Sequence, residues 1–342
     1  MQTLRPIQEF PRVDDQASLS SLVEAGRPAV LRGFVDHWPS VRAGRASPPD
    51  AVAYLRRFDS GVPVDAIMTA PEAAGRVFYN DTMSGFNFVR NRLTISAVAE
   101  QVLRYGAFER APSVAVQSAL VKECLPGFAE DNRVAALDES IPARIWLGNA
   151  ITTPTHLDEW NNIACVAAGR RRFTLFPPEQ IGNLYIGPLD FAPTGAPMSL
   201  VRLDQPDFER FPQFRAALAA AVTAELAAGD ALFIPPLWWH HVESLEPFNL
   251  LVNYWWPASG GDPLASDSGF DSLLHAILNL RRLPPATRAA WGSLLGHFVT
   301  GSEQTVVGHI PPERRGILGP LSAERKQQWR AFLAERLQRP KN

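Results

Sequence analysis

Long apolar runs are missing from this 342-residue chain: no stretch of about 18 uninterrupted apolar residues occurs, so no membrane-spanning helix is expected. Cysteine is nearly missing too. Cys124 and Cys165 stand far apart and form no C-x-x-C pair, which argues against a disulfide scaffold or a structural zinc site and makes buried thiols of both. Charge of one sign is lacking, with 33 Lys and Arg against 35 Asp and Glu and a formal net charge of -2. No whole-chain field draws such a protein to nucleic acid, so a polynucleotide partner is disfavoured. The first residues, MQTLRPIQEFPRVDD, have neither the basic start nor the apolar run of a secretory signal, and a cytoplasmic location is the expectation.

What is abundant is punctuation. Thirty prolines and 23 glycines suit short strands separated by turns. From Ser113 onward VAVQSAL (114–120), RIWLGNA (144–150), NIACVAA (162–168), RRFTLFP (171–177), AELAAGDALFIPP (224–236) and FNLLVNYWW (248–256) follow one another with Gly or Pro between them. That series predicts a β-sandwich or barrel, not alternating β-α units. Before it, 28–34 reads as a strand, 49–58 and 93–105 as helices, and 78–89 as extended chain with a loop. Alanine-rich 208–228 reads as a helix interrupting the strands. After Trp256 the helices return, at about 271–282, 285–299 and 322–336. The organisation expected is one domain over 1–262, with its β core at about 113–256 and an N-terminal elaboration over 1–112, followed by a helical region over 263–342.

Two stretches carry chemistry. TPTHLDEWNN (153–162) places His156 and Asp158 two apart, and in an extended strand such residues share a face, so imidazole and carboxylate would stand side by side. Two ligands hold a metal weakly, and a third must come from elsewhere. Of the seven histidines, only His240 and His241 lie in a second strand-like stretch with strong turn signals, GDALFIPPLWWHHVESL (229–245). Two histidines and one carboxylate form a facial triad with open positions, which suits non-haem Fe(II).

These motifs, with PAVLRGFVDHWP, GRRRFTLFPPEQ and LLVNYWW, run in consistent order over about residues 28–256. The set resembles the JmjC or cupin-like family of Fe(II)- and 2-oxoglutarate-dependent oxygenases, in particular the group containing the asparaginyl hydroxylase that inhibits hypoxia-inducible factor. The resemblance implies a double-stranded β-helix (jelly-roll) core, mainly β with flanking helices. It implies His156, Asp158 and His240 as iron ligands, with 2-oxoglutarate and dioxygen as co-substrates, succinate and CO2 as products, and oxygen insertion into a C–H bond. His241 then falls on the opposite strand face as a hydrogen-bonded structural histidine.

By the same resemblance, Arg171 stands where relatives carry a lysine for the distal carboxylate of 2-oxoglutarate, a task the planar guanidinium can perform. Arg170 and Arg172 belong on the other, solvated face. Thr153, Asn162 and Asn253 match positions that line the co-substrate pocket. Gln117, Trp160, Trp239 and Trp255 are expected around the substrate, with Trp238 also walling the cavity. Ala115 departs from the pattern, because the asparaginyl hydroxylase has a co-substrate-binding tyrosine there. Hydroxylation of a protein or peptide side chain is the expected reaction, with a small molecule or a tRNA nucleoside as other substrate classes. A non-catalytic cupin-type metal or ligand binder is the competing reading. A zinc hydrolase is disfavoured, since no general base stands beside the triad. The helical tail from about Pro263 resembles the C-terminal helices through which relatives form homodimers, and its apolar stripe of Leu273, Leu274, Ile277 and Leu280 would pair with a second copy or pack on its own barrel.

Overall fold

The computed structural model describes residues 4–10, 13, 15–258 and 268–338. It divides into two compact units, Met1–Asp267 and Ser268–Asn342. The boundary expected at 262–263 lies outside the described residues.

The first unit carries fourteen described strands: β1 Arg5–Pro6, β2 Gln8–Phe10, β3 Ala29–Leu31, β4 Val64–Thr69, β5 Phe88–Leu93, β6 Ser113–Leu120, β7 Ala143–Gly148, β8 Thr152–His156, β9 Asn161–Ala168, β10 Arg170–Phe176, β11 Val222–Ala227, β12 Ala231–Ile234, β13 Trp239–Ser244 and β14 Asn249–Trp256. They form a five-stranded sheet, β1-β11-β10-β13-β8, and a nine-stranded sheet, β2-β3-β12-β9-β14-β7-β6-β4-β5. Strands β7 to β14 divide four and four between the two sheets, which is the jelly-roll core.

Alternation sets what each face does. Ala164, Val166, Leu232, Ile234 and Leu251 of the larger sheet meet Phe173, Leu175, Leu226 and Val242 of the smaller one in a shared core. Intervening residues of the larger sheet, among them Cys165, Phe233 and Val252, pack outward against Trp38, Val41, Leu55, Val98 and Val102. Those partners come from the helices Pro39–Ala46, Pro48–Arg56 and Ile95–Tyr105 and the turn before the first. The last of these starts where the Thr94 side chain accepts from the Ala97 amide and buries Ile95, Val98, Ala99 and Val102 along one stripe, as a capped amphipathic helix should.

The helix expected over 208–228 is confined to Phe214–Ala220, and Val222–Ala227 becomes β11. Pairing with β10 on one side and β1 on the other outweighs the helix preference of its alanines, a case of tertiary context overriding propensity. The strand expected over 224–236 likewise breaks at Gly229-Asp230, and its two halves join different sheets. Gly169, with φ +74, makes a corresponding corner between β9 and β10, where left-handed backbone favours glycine.

In the second unit the helices are Gly269–Leu280, Pro285–Phe298, Glu303–Val307 and Ala323–Gln338. Its buried hydrophobic residues, among those described, are Val306 and Val307.

Candidate metal centre and its cavity

β8 ends at His156, so Asp158 sits just beyond the strand, and the two do not alternate along one extended segment as the sequence suggested. The turn after β8 brings the carboxylate back. Directly across from His156 in the β8–β13 pairing stands His240, their rings 4.2 Å apart between centroids. His240 Nε2 lies 3.6 Å from Asp158 Oδ2, and one ligand atom from each of the three residues falls within 4.8 Å of the others.

Both histidines are fixed in the same way. His156 Nδ1 faces the Pro154 carbonyl at 2.9 Å and His240 Nδ1 faces the Trp238 carbonyl at 3.0 Å. A carbonyl only accepts, so each Nδ1 carries the proton and each Nε2 keeps its lone pair for a metal. Burial first, and the His240 ring second, push the His156 pKa down to about 4. Near neutral pH that imidazole is therefore in its ligating form.

Asp158 is held from two directions. Asn162 Nδ2 donates to Asp158 Oδ2 at 3.3 Å, and Asn253 Nδ2 donates to Asn162 Oδ1 at 2.6 Å. Asn162 and Asn253, expected against the co-substrate, thus form a chain that orients the carboxylate. The Leu237 amide donates to the Asp158 carbonyl at 2.8 Å. Leu237 itself has φ +64, a conformation that costs a non-glycine residue about 1–3 kcal/mol and is stored at functional sites.

Deeper along the same face lies Arg171. It shares that face with Phe173 and Leu175 and pairs across the sheet with Ser244. Only 6% of it is exposed, its Nε has no hydrogen-bond acceptor, and no carboxylate lies within ion-pair reach among the described residues. Burial lowers its pKa to about 10. Its neighbours behave differently: Arg170 pairs with Glu246 at 2.7 Å and Arg172 with Glu225 at 2.6 Å, all on the outer face. A buried guanidinium with no counter-ion is costly unless an anion completes it.

Among the other expected residues, Thr153 pairs with Val242 and so lies on the cavity face. Gln117 sits half-buried in the irregularity of β6 between Val116 and Ala119. Trp255 pairs with Asn162 and meets Trp146 edge-on at 6.4 Å. Trp160 is half-buried in the bend before β9.

Trp239 is a correction: it is 1% exposed and packs with Phe176, Leu184 and Phe214 on the face opposite His240, outside the cavity. Trp238, just before β13, is the one that packs toward the inner core. His241 is buried on the strand face opposite His240, as expected, but its Nδ1 has no hydrogen-bond partner, and burial first of all pushes its pKa down to about 3. Ala115 packs with Ile67, Val77 and Ile151, opposite Gly148 of β7, where a Cβ would stand 2.8 Å from that of Ala115.

Arg144 and Trp146 were not anticipated, although alternation along RIWLGNA puts both on the face of Gly148. Arg144 pairs with Asn253, and Trp146 with Leu251. Leu237 left no sequence signal, since only its backbone angle distinguishes it.

The donor set fits a divalent metal: two imidazole nitrogens and one carboxylate suit Fe(II), Mn(II) or Zn(II) with positions left open. The unpaired Arg171 on the same inner face fits a dicarboxylic acid whose far end it would neutralise.

Comparison with known proteins agrees with this architecture. Human HSPB1-associated protein 1 is 35% identical over 147 residues, covering 42% of this chain and 30% of that protein. Chicken tRNA wybutosine-synthesizing protein 5 is 33% identical over 146 residues, 39% of this chain and 43% of the relative. Zebrafish lysine-specific demethylase 8 is 26% identical over 265 residues, 74% of this chain and 59% of the relative. The match thus spans less than a third of the length of the human relative. The family model described as a cupin-like domain matches residues 15–262, most of the chain and all of the jelly roll, and with JmjC-type relatives beside it this chain belongs to the cupin-like family.

Proposed function

We propose that this chain is an Fe(II)- and 2-oxoglutarate-dependent oxygenase that hydroxylates a C–H bond in a protein or peptide side chain. The observation that carries the reading is Arg171, a buried cation without a counter-ion on the inner face that also bears His240. A metal-binding cupin that takes no dicarboxylate has no use for it. The relatives support the broader oxygenase class, and their printed names cover a lysine demethylase and a tRNA-modifying protein.

Bound iron with 2-oxoglutarate and dioxygen would supply oxidative decarboxylation to succinate and CO2, with one oxygen atom inserted into the substrate. The chain's own task is placement. His156, Asp158 and His240 would hold the metal on one side and leave the other open. Arg171 would fix the distal carboxylate through a charge-assisted pair, and Thr153 faces the space between. Phe173, Leu175 and Val242 line the inner face and exclude water. No side-chain acid or base is required. Near-neutral charge favours a polypeptide over RNA.

Titration of the Mn(II) protein with 2-oxoglutarate tests the reading. Saturable binding is expected, lost in His156→Ala and weakened about 100-fold or more in Arg171→Ala, in line with about 3 kcal/mol for a buried charged contact. Metal binding without any 2-oxoglutarate binding would favour the non-catalytic cupin instead. Succinate release with iron and ascorbate then screens peptide substrates.

A further inference from the structure

Arg144 is a cation on the inner face of the larger sheet that nothing in the metal or co-substrate arrangement uses. It is the second residue of β7 and pairs with Asn253, whose side chain leads through Asn162 to Asp158. Its guanidinium lies 5.7 Å from the Trp255 ring, and Trp255 is itself the cross-strand partner of Asn162. One nitrogen, Nη1, donates to the Ser118 carbonyl at 3.0 Å. Ser118 has φ +48 in the irregular part of β6, so a strained backbone supports that contact. The remaining guanidinium nitrogens have no hydrogen-bond acceptor among the described residues, and no carboxylate lies within 4.0 Å of them.

The surroundings are rich in donors. The indole nitrogens of Trp146 and Trp255 are both buried without a hydrogen-bond partner. The inward positions of β7, β14 and the metal end of β9 are Arg144, Trp146, Leu251, Asn253, Trp255, Asn162 and Ala164, none of them acidic. The carboxylate that acts on Arg144 electrostatically is Glu123, an exposed residue in the helical turn after β6, beyond ion-pair distance. A cationic substrate side chain would meet Arg144 with only the solvated Glu123 to offset the repulsion, whereas a carboxylate would meet a planar fork of free N–H groups on an aromatic support.

We propose that the substrate is a peptide carrying an acidic side chain beside the oxidised position, and that Arg144, stacked on Trp255, receives that carboxylate. The proposal rests on the oxygenase reading and deepens it. A phosphate is the poorer fit, because Arg144 stands among indoles rather than other cations, and the chain as a whole is slightly negative where nucleic-acid partners favour clustered positive charge.

Three nonapeptide pools of equal hydrophobicity, biased to Asp and Glu, to neutral residues, and to Lys, serve as probes. Binding to the Mn(II) and 2-oxoglutarate form is read by tryptophan fluorescence. The acidic pool is expected to bind about tenfold tighter than the neutral one, or about 1.4 kcal/mol. That advantage disappears in Arg144→Gln, survives in part in Arg144→Lys, and gives way to the Lys pool in Arg144→Glu. Equal binding of all pools, no binding of any, an unchanged preference in a folded Arg144→Gln protein, or stronger competition by AMP than by the acidic pool overturns the proposal. Failure of the oxygenase reading shows separately, as loss of 2-oxoglutarate binding in the wild-type protein before any peptide is added.

Discussion

Arg171 costs the empty protein stability for as long as its guanidinium is buried without an anion. Its folded pKa is depressed from 12.5 to about 10, so near neutral pH the charge remains and its desolvation is uncompensated. Arg171→Met should therefore raise the stability of the metal-free, co-substrate-free protein by about 1–3 kcal/mol, read from urea unfolding. The same variant should show no stabilisation by added 2-oxoglutarate, which the wild type should gain by mass action. A variant that is less stable in both states would mean that Arg171 is structural.

His241 makes the complementary test, because it is buried and lies outside the proposed ligand set. Its folded pKa, about 3, is below the usual value near 6.5. The unfolded chain therefore binds its proton first as pH falls, and stability drops between about pH 6.5 and 3 by at most about 1.4 kcal/mol per unit for this one group. His241→Asn should flatten the acid limb of stability against pH in chelator-treated protein. An unchanged slope would show that the imidazole is solvated in the folded state.

At the scale of elements, much was legible because strand alternation has a fixed period. Once RRFTLFP is a strand, Arg171, Phe173 and Leu175 must share a face, and the structure turns that face inward, toward the larger sheet. What periodicity could not supply was the end of β8 before Asp158, or which tryptophan of the Trp238-Trp239 pair faces inward. Both depend on where pairing begins and stops, a property of the partner strand. The Asp158–Asn162–Asn253 chain was hidden for the same reason, since it joins residues 91 apart in sequence. The corner at Gly169 sets the phase of β10. A Cβ there would stand 2.5 Å from both the Phe248 carbonyl and Asn249 Oδ1, at a φ of +74. Gly169→Ala is expected to lose about 1–3 kcal/mol of stability and to weaken 2-oxoglutarate binding, because Arg171 is only two residues away. Calorimetric titration alongside urea unfolding separates the two effects, and a destabilised variant with unchanged affinity would show that the corner does not set the anchor.

At the scale of the whole molecule, the helical unit presents a different problem from the jelly roll. Trp291, Leu294, Leu295, Phe298 and Val299 are all exposed, and their spacing of three, one, three and one residues places them along one side of the helix Pro285–Phe298 and its end. Leu273 and Leu278 of the preceding helix are exposed as well, the latter at 80%. Of the sequence-derived stripe, Leu274, Ile277 and Leu280 are only half-buried. Among the described residues Val306 and Val307 are its buried hydrophobic residues, a small core beside so much exposed apolar surface. An apolar surface of this kind is characteristic of an interface. We propose, in keeping with the dimer expected from the sequence, that a second copy of the chain covers it. Trp291→Glu combined with Leu295→Glu should then shift sedimentation from dimer to monomer while the jelly roll keeps its capacity for Mn(II). A wild-type chain that sediments as a monomer at every concentration tested would remove the second copy as the partner of that face.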